Sequence, residues 1–280
     1  MSAAPVLVVA LDGMPLASIS RGRVARPDEL TLTYFTDPAD PDYLAVLDRW
    51  PERVSAATAR GPNLIPLSPS LPIQRASHRG AAVLAYLAGL LPDDPGVRAR
   101  WASQFDVPDH PVDLLGHMGL DCPGAVQFVP LGHEERLARG ETYVPWDDAL
   151  IGARLRELDV AGGAPSWTQP GERWSLGGMQ AKFALASIGD TWHEVHGSGA
   201  TTHLIKPGIR RMSHQAVVEF ATMRASASLG LPTAQVDLGN FAGEIALIVR
   251  RFDRTARGGA VRRLHQVDMC QALGVMPSDK

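Results

Sequence analysis

The segment Trp174–Leu185, WSLGGMQAKFAL, places several chemically useful residue types close together. It holds a serine, two adjacent glycines, a glutamine and a lysine between runs that are typical of half-buried strands. Glycine has no Cβ, so its backbone N–H can approach a phosphate oxygen closely. The segment therefore has three interpretations: a hairpin turn, a phosphate cradle, or a nucleophilic Ser175 on a sharp bend.

A lysine and a glutamate follow this segment at a suitable spacing. Lys206 lies on the predicted strand TTHLIKP, and Glu219 lies 13 positions later on a helix predicted over 213–229. Ser213 is a suitable N-cap for that helix, and Gly230 is a suitable C′ residue. Protein kinases use a strand lysine to neutralise phosphates and a helical glutamate to hold that lysine. Spacing alone does not separate this arrangement from an ordinary α+β fold, and neither GxxxxGK[ST] nor GxGxxG occurs.

The elements that position these residues fall into two predicted domains, 1–160 and 161–280. The first begins with a small antiparallel sheet that turns at Asp12-Gly13, and it continues with helices over 79–120. Residues 162–173, rich in Gly, Pro and Ser, predict a linker. The second domain predicts a sheet that carries one helix. The fold class is therefore α+β.

Composition excludes several classes of protein. The chain of 280 residues is 45% hydrophobic and 20% charged, which predicts a sizeable core, and its net charge of -3 does not favour nucleic acid binding. Cys122 and Cys270 are far apart, as in proteins of a reducing compartment. The N-terminus has no basic region before its apolar run, and the apolar run 80–91 is too short to span a bilayer. We expect a cytoplasmic protein with no membrane contact.

Five motifs resemble segments of the HipA family, the serine/threonine kinase toxins of bacterial toxin–antitoxin modules. SLGGMQAKFAL resembles the family's SxAGAQxKxAL, and TTHLIKP resembles its STHIIKP. VEFATMRASASLGLP resembles NExxxMxLAxxLGL, IVRRFDR resembles VERFDR, and RLHQVDMCQALG resembles RLHQEDFCQALG. Upstream segments match the family's N-terminal region in order, so the likeness covers nearly the whole chain. The resemblance implies an antitoxin-docking domain followed by a kinase N-lobe and the start of a C-lobe.

The resemblance also implies roles for particular residues. Lys206 would bind the ATP phosphates, and Glu219 would be its ion-pair partner. Ser175 would be autophosphorylated, an event that ejects the phosphate loop and switches the kinase off. The loop itself would comprise Gly177, Gly178, Met179, Gln180, Ala181 and Lys182. The hinge that meets the adenine, largely through backbone groups, would comprise Arg250, Arg251 and Phe252.

Some positions depart from the family pattern. Val218 replaces an Asn, while Arg250 and Val267 each replace an acid. In the family, the base-positioning Asp and the magnesium ligands lie in a DxHxKN loop and a later turn, and neither occurs in these 280 residues. We therefore expect no catalytic residue and no metal ligand here, in a fragment or shortened copy that cannot transfer phosphate. Asp268 and Asp279 are interpreted as structural or solvated.

The resemblance implies ATP and Mg²⁺ as cofactors and a helix-turn-helix antitoxin of the HipB type as partner. The implied substrate is a protein of translation, such as an aminoacyl-tRNA synthetase, and DNA would be contacted only through the antitoxin. The alternative is a non-catalytic module that sequesters the antitoxin or pairs with a separate C-lobe.

Three other patterns favour ordinary structure. The run His193–His196 spaces its histidines by three rather than the zincin spacing of four, so a polar loop is the better interpretation. No GxSxG elbow supports a hydrolase serine at Ser175 or Ser198. His203 is interpreted as a hydrogen-bonded core histidine. A solvated face is the interpretation for the arginines at 250, 251, 254, 257, 262 and 263.

Overall fold

The computed structural model describes residues 5–22, 29–49, 65–138, 141–160, 167–168, 171–209, 212, 214–257 and 260–279. These residues form a mixed fold in which a five-stranded sheet, a six-stranded sheet and a two-stranded ribbon pack with helices. The α+β class predicted from the sequence is confirmed in this coarse form.

The first sheet is antiparallel and has the order β4-β3-β2-β1-β5. Its strands are β1 (Pro5–Leu11), β2 (Met14–Arg21), β3 (Leu30–Tyr34), β4 (Ser77–Arg79) and β5 (Val126–Pro130). The predicted turn joins β1 to β2, with φ of 42° at Asp12 and 80° at Gly13. Positive φ at both central residues is what a tight right-twisted hairpin requires.

Helices cover both faces of this sheet. They are α1 (Pro41–Asp48), α2 (Ala81–Ala88), α3 (Pro95–Phe105), α4 (Pro111–Met118) and α5 (Glu135–Ala138). Because strand side chains alternate, Leu7 and Val9 of β1 enter the main core with α2, α3 and α4, whereas Val8 and Ala10 pack with α1. A proline at the first turn begins α3, and the Asp94 side chain caps it.

The second sheet has the order β10-β11-β9-β7-β8-β6. Its strands are β6 (Thr142–Trp146), β7 (Phe183–Ile188), β8 (Thr191–His196), β9 (His203–Pro207), β10 (Val236–Phe241) and β11 (Glu244–Arg250). The helices beside it are α6 (Asp148–Val160) and α7 (Gln215–Ser228). The ribbon β12 (Arg254–Arg257) and β13 (Ala260–Arg263), helix α8 (Met269–Leu273) and a 3-10 turn (Pro277–Asp279) complete the described chain.

The two helices lie on opposite faces of the second sheet. Helix α7 packs Ala216, Phe220 and Met223 against Val236 and Leu247. Lys206 is paired in register with Leu247, so it shares this face. On the opposite face, Ile205 and Ala246 join the main core, which also holds Ile151 and Leu155 of α6.

The structure adds detail to the predicted domain boundary near residue 160, which stays a prediction. Strand β6 precedes that boundary but pairs with β8 of the second sheet. Helix α6 also approaches this sheet closely, since a Cβ at Gly152 would lie 2.4 Å from the Phe241 carbonyl oxygen. In the predicted linker, Trp167, Thr168 and Glu172 are buried. These parts of the segment are packed, which an exposed linker would not be.

Several local predictions were wrong. The strand expected around Trp174 is reduced to one bridge with Asp121. Helix α7 begins after His214, which has φ of 58° and makes no side-chain cap, while Ser213 lies outside the described residues. The end of α7 is confirmed, because Gly230 follows the C-cap with φ of 80°. Helix α1 and the β12–β13 ribbon were not anticipated.

Candidate functional site

Lys206 and Glu219 meet on the α7 face of the second sheet. The Lys206 Nζ lies 2.9 Å from Glu219 Oε1, and both side chains are partly buried. One helical turn earlier, Gln215 Nε2 donates to the other carboxylate oxygen at 2.8 Å. Partial burial raises the pKa of Glu219, but the hydrogen bonds from Lys206 and Gln215 outweigh it and hold the pKa below its ordinary value. The glutamate is therefore an anion that fixes the lysine.

The glycine segment lies against the end of α2 rather than forming a hairpin. Ser175 N donates to the Asp121 carbonyl at 3.2 Å, and Ser175 Oγ donates to the Leu90 carbonyl at 2.7 Å. Asp93 N donates to the Gly178 carbonyl at 3.1 Å. These contacts exclude the hairpin interpretation. They also contradict a nucleophilic Ser175, whose buried hydroxyl is bound to a carbonyl oxygen.

Each of the two glycines has its own structural reason. A Cβ at Gly177 would lie 3.2 Å from the Gly89 carbonyl oxygen, so the backbone approaches α2 closely. Gly178 has φ of 97°, a conformation that L side chains rarely adopt, and its Cβ would lie 3.4 Å from Lys182 Nζ. The two residues thus shape the loop for different reasons.

Lys182 lies beneath the glycines. Its Nζ donates to the Gly177 carbonyl at 3.0 Å and lies 4.0 Å from the centre of the Trp167 ring. Burial, with a smaller effect of Lys206, lowers the pKa of Lys182 to about 7, against the opposing effects of Asp93 and Glu219. Two lysines thus share one paired glutamate, and this local excess of positive charge suits an anion.

Two further residues of the segment differ in exposure. Gln180 Nε2 donates to the Pro207 carbonyl at 3.1 Å and to Gln215 Oε1 at 3.3 Å, so the loop is tied to β9 and α7. Met179 is exposed at the tip of the loop. Ala181 precedes Lys182 and packs against the main core.

The predicted hinge residues have unequal surroundings. Backbone N–H groups of Arg250 and Arg251 donate to the Gln235 and Thr202 carbonyls, each at 2.9 Å. Phe252 is 69% exposed. An open cavity of about 320 Å³ adjoins the segment and is lined by Thr233, Ala234, Gln235, Arg250, Arg251, Phe252 and Arg254. Free volume is therefore present beside the hinge.

The solvated-face interpretation is wrong for three of the arginines. Arg251, Arg254 and Arg263 are each at most 7% exposed in their side chains and lie 3.2, 2.8 and 3.1 Å from the Asp121 carboxylate. Asp253 pairs with Arg251 at 2.8 Å. Burial raises the pKa of Asp121, but the three guanidinium groups outweigh it and hold the pKa well below its usual range. The carboxylates that bury these arginines are remote in sequence, whereas Arg262 is 54% exposed as expected.

Other candidate residues have structural surroundings. His193 and His196 lie on β8, where His193 Nδ1 contacts the Thr191 carbonyl and His196 Nε2 lies 3.3 Å from Glu194. The described residues hold no group of three His, Cys, Asp or Glu that could bind a metal ion. Asp268 caps α8 in a capping box with Gln271. Within the described ranges, no helix is long and apolar enough to cross a bilayer.

Sequence reasoning missed three contributors to this site. Gln215 is four positions before Glu219, so helical spacing could have indicated it. Trp167 under Lys182 and Asp121 among the arginines have no local signal, because their partners are distant in the chain.

Comparisons with known proteins agree with the motifs. The model of the HipA N-terminal domain matches residues 54–129, and that of the HipA-like C-terminal domain matches 174–280. A putative kinase of Sinorhizobium fredii is 36% identical over 226 residues, covering 78% of this chain and 52% of that protein. The serine/threonine-protein kinase toxin HipA of Shewanella oneidensis is 31% identical over 229 residues, covering 77% and 48%.

A solved structure gives the same result at the level of the fold. A chain in the complex of HipA, HipB and operator DNA from Shewanella oneidensis matches with a TM-score of 0.73 and 26% identity. The match covers 98% of this chain and 57% of that one. The chain thus spans about half the length of the relatives that it matches. Two domain models, two relatives and one solved fold agree, and the chain belongs to the HipA family.

Proposed function

We propose that these 280 residues form the nucleotide-binding part of a HipA-like serine/threonine kinase toxin. The observation that carries the proposal is the Lys206–Glu219 contact at 2.9 Å, close to a glycine loop that holds a second buried lysine. A triphosphate needs cations and accessible backbone N–H groups, and this arrangement offers both. Bound ATP would supply the transferable phosphoryl group, and Mg²⁺ would neutralise its charge.

In this proposal each part of the site has one task. The loop from Gly177 to Lys182 receives the phosphates, with Lys206 held by Glu219 as their strand cation. Backbone groups of 250–252 meet the adenine, with the cavity of about 320 Å³ beside them. Since the sequence contains no DxHxKN segment, we assign the magnesium ligands and the transfer step to a second lobe.

Ser175 is the proposed site of autophosphorylation. Its hydroxyl is buried and bonded to the Leu90 carbonyl, so a phosphoryl group with a charge of about −2 has no room in this conformation. Phosphorylation therefore requires the loop to leave the end of α2. This supports the loop ejection that the family resemblance implies.

The partners and substrate extend the proposal to the complete protein. One solved relative is a complex of HipA, HipB and operator DNA, which supports a helix-turn-helix antitoxin as partner and contact with DNA through that antitoxin. The family resemblance further supports a protein substrate of translation, acted on in the cytoplasm.

Nucleotide titration by calorimetry tests the proposal directly. We expect affinity to fall in the order ATP, ADP, AMP in the presence of Mg²⁺, because the phosphates make the contacts with the loop and with Lys206. Equal affinity for ATP and AMP would place the adenine, rather than the phosphates, in control of binding. Absence of ATP binding would contradict the proposal.

A further inference from the structure

Lys182 is a buried cation whose neighbours are a carbonyl and an aromatic ring. It is 5% exposed, and its Nζ lies between the Gly177 carbonyl oxygen at 3.0 Å and the Trp167 ring at 4.0 Å from the centroid. Trp167 itself is 1% exposed, so the cation–π contact is shielded from water. Among the described residues, no carboxylate forms an ion pair with Lys182.

Charged groups reach Lys182 from three elements. Lys206 on β9 opposes its positive charge, while Asp93 after α2 and Glu219 on α7 support it. Burial is the largest influence and also disfavours the ammonium form, so the pKa is lowered to about 7. The ammonium and the neutral amine are therefore both populated near neutral pH.

The hydrogen bond to Gly177 has a geometric consequence for the loop. The Gly177 carbonyl belongs to the same planar trans peptide as the Gly178 N–H, so the two groups point in opposite directions. While Lys182 Nζ binds the carbonyl, the Gly178 N–H is directed away from Lys182. An ammonium makes this bond and the contact with Trp167 stronger than a neutral amine does.

We propose that Lys182 is a proton-dependent positioning residue of the loop: its ammonium holds the Gly177 carbonyl and so presents the Gly178 N–H to a triphosphate. The inference rests on the proposed function for its ligand, but the positioning of the peptide stands on the geometry alone. Gly178 fits this role, because a Cβ there would lie 3.4 Å from Lys182 Nζ.

Proton linkage gives the sign of the effect. A bound triphosphate stabilises the ammonium, so binding raises the pKa of Lys182 and takes up a proton. Affinity is therefore highest below pH 7 and falls as the free protein loses this proton at higher pH. A unit charge about 6 Å away in an effective dielectric of about 20 changes affinity by roughly 100-fold at most, so at least about tenfold is expected.

The first experiment measures MgATP affinity from pH 6 to pH 9. The wild-type protein and Arg224→Met, which removes an exposed cation of α7, are expected to lose about tenfold or more over this range. Lys182→Met is expected to bind weakly and with a flat pH profile. A profile in Lys182→Met as steep as that of the wild type would overturn the proposal.

The second experiment reads Lys182 itself and needs no variant. The chain has three lysines, Lys182, Lys206 and Lys280, so ¹³Cε-lysine labelling gives three NMR signals to titrate. We expect one signal to titrate near pH 7 in the free protein and at least about one pH unit higher with MgATP. Three signals that all titrate above about pH 9 would overturn the proposal.

The amide signal of Gly178 separates this inference from the proposed function. In the nucleotide-free protein it should shift with a midpoint near pH 7, and it should lose that midpoint in Lys182→Met. If no ATP binds at any pH, the proposed function fails, and this titration still decides the positioning role. The same midpoint in both proteins would overturn that role.

Discussion

Replacing Asp121 with Asn tests the buried charge cluster that anchors the hinge. Three guanidinium groups lie 2.8, 3.1 and 3.2 Å from the Asp121 carboxylate, and Thr201 donates to it through N and Oγ1 at 3.0 and 2.7 Å. With Asp253, two carboxylates face three arginines, a net charge of +1. The Asp121→Asn variant keeps the shape of the side chain and leaves a net charge of +2.

The expected cost is large because the whole cluster is buried. Removing one partner of a buried charge pair costs about 3–5 kcal/mol of unfolding free energy, since the remaining charges stay desolvated. Urea unfolding followed by tryptophan fluorescence should therefore show a much lower midpoint at an unchanged slope. The pKa of Asp121 is held below its unfolded value of 3.8, so this stabilisation is present above about pH 4 and is lost as the pH falls further.

Asp12→Asn is the matched control. Asp12 contacts Arg262 at 3.4 Å at the rim of the same cluster, where the arginine is 54% exposed. An exposed pair of this kind contributes at most about 1 kcal/mol. Equal losses of stability in the two variants would refute the reasoning that the cluster is a buried joint.

Two further variants test the loop. Gly178→Ala and Gly243→Ala should each lose about 1–2 kcal/mol of unfolding free energy, because φ is 97° and 93° at these positions, but only Gly178→Ala should also weaken ATP binding. Equal ATP affinity in the two would contradict the cradle. Ser175→Ala should lose about 1–3 kcal/mol in thermal unfolding, because it leaves the buried Leu90 carbonyl without its donor. Exposed Ser228→Ala is the control, with a change within about 0.5 kcal/mol, and equal losses would show that the Ser175 hydrogen bond is unimportant.

Local patterns predicted the elements whose cause is local. The Asp12-Gly13 turn, the alternating strands of the first sheet and the end of α7 at Gly230 all follow from backbone preferences of neighbouring residues. The contact of Lys206 with Glu219 was also predicted, because a strand lysine and a helical glutamate at this spacing can share one face.

Features that depend on distant partners could not be read from the sequence. Arg251 resembles a surface arginine until Asp121, 130 positions earlier, is placed against it. The glycine segment resembles a hairpin until the carbonyl of Leu90 is seen to accept the Ser175 hydroxyl. Trp167 lies in a segment of linker-like composition and yet packs on Lys182. In each case tertiary contacts outweighed the local preference.

The affinity of Lys206→Met for MgATP, compared with that of Arg224→Met, is the most direct test of the central claim. Both variants remove one positive charge from the α7 face of the protein, but only Lys206 contacts Glu219. We expect at least about tenfold weaker binding for Lys206→Met and an unchanged affinity for Arg224→Met, since a charge pair at about 4 Å contributes up to roughly 4 kcal/mol before solvent screening. Equal affinities in the two variants would contradict a triphosphate site at Lys206.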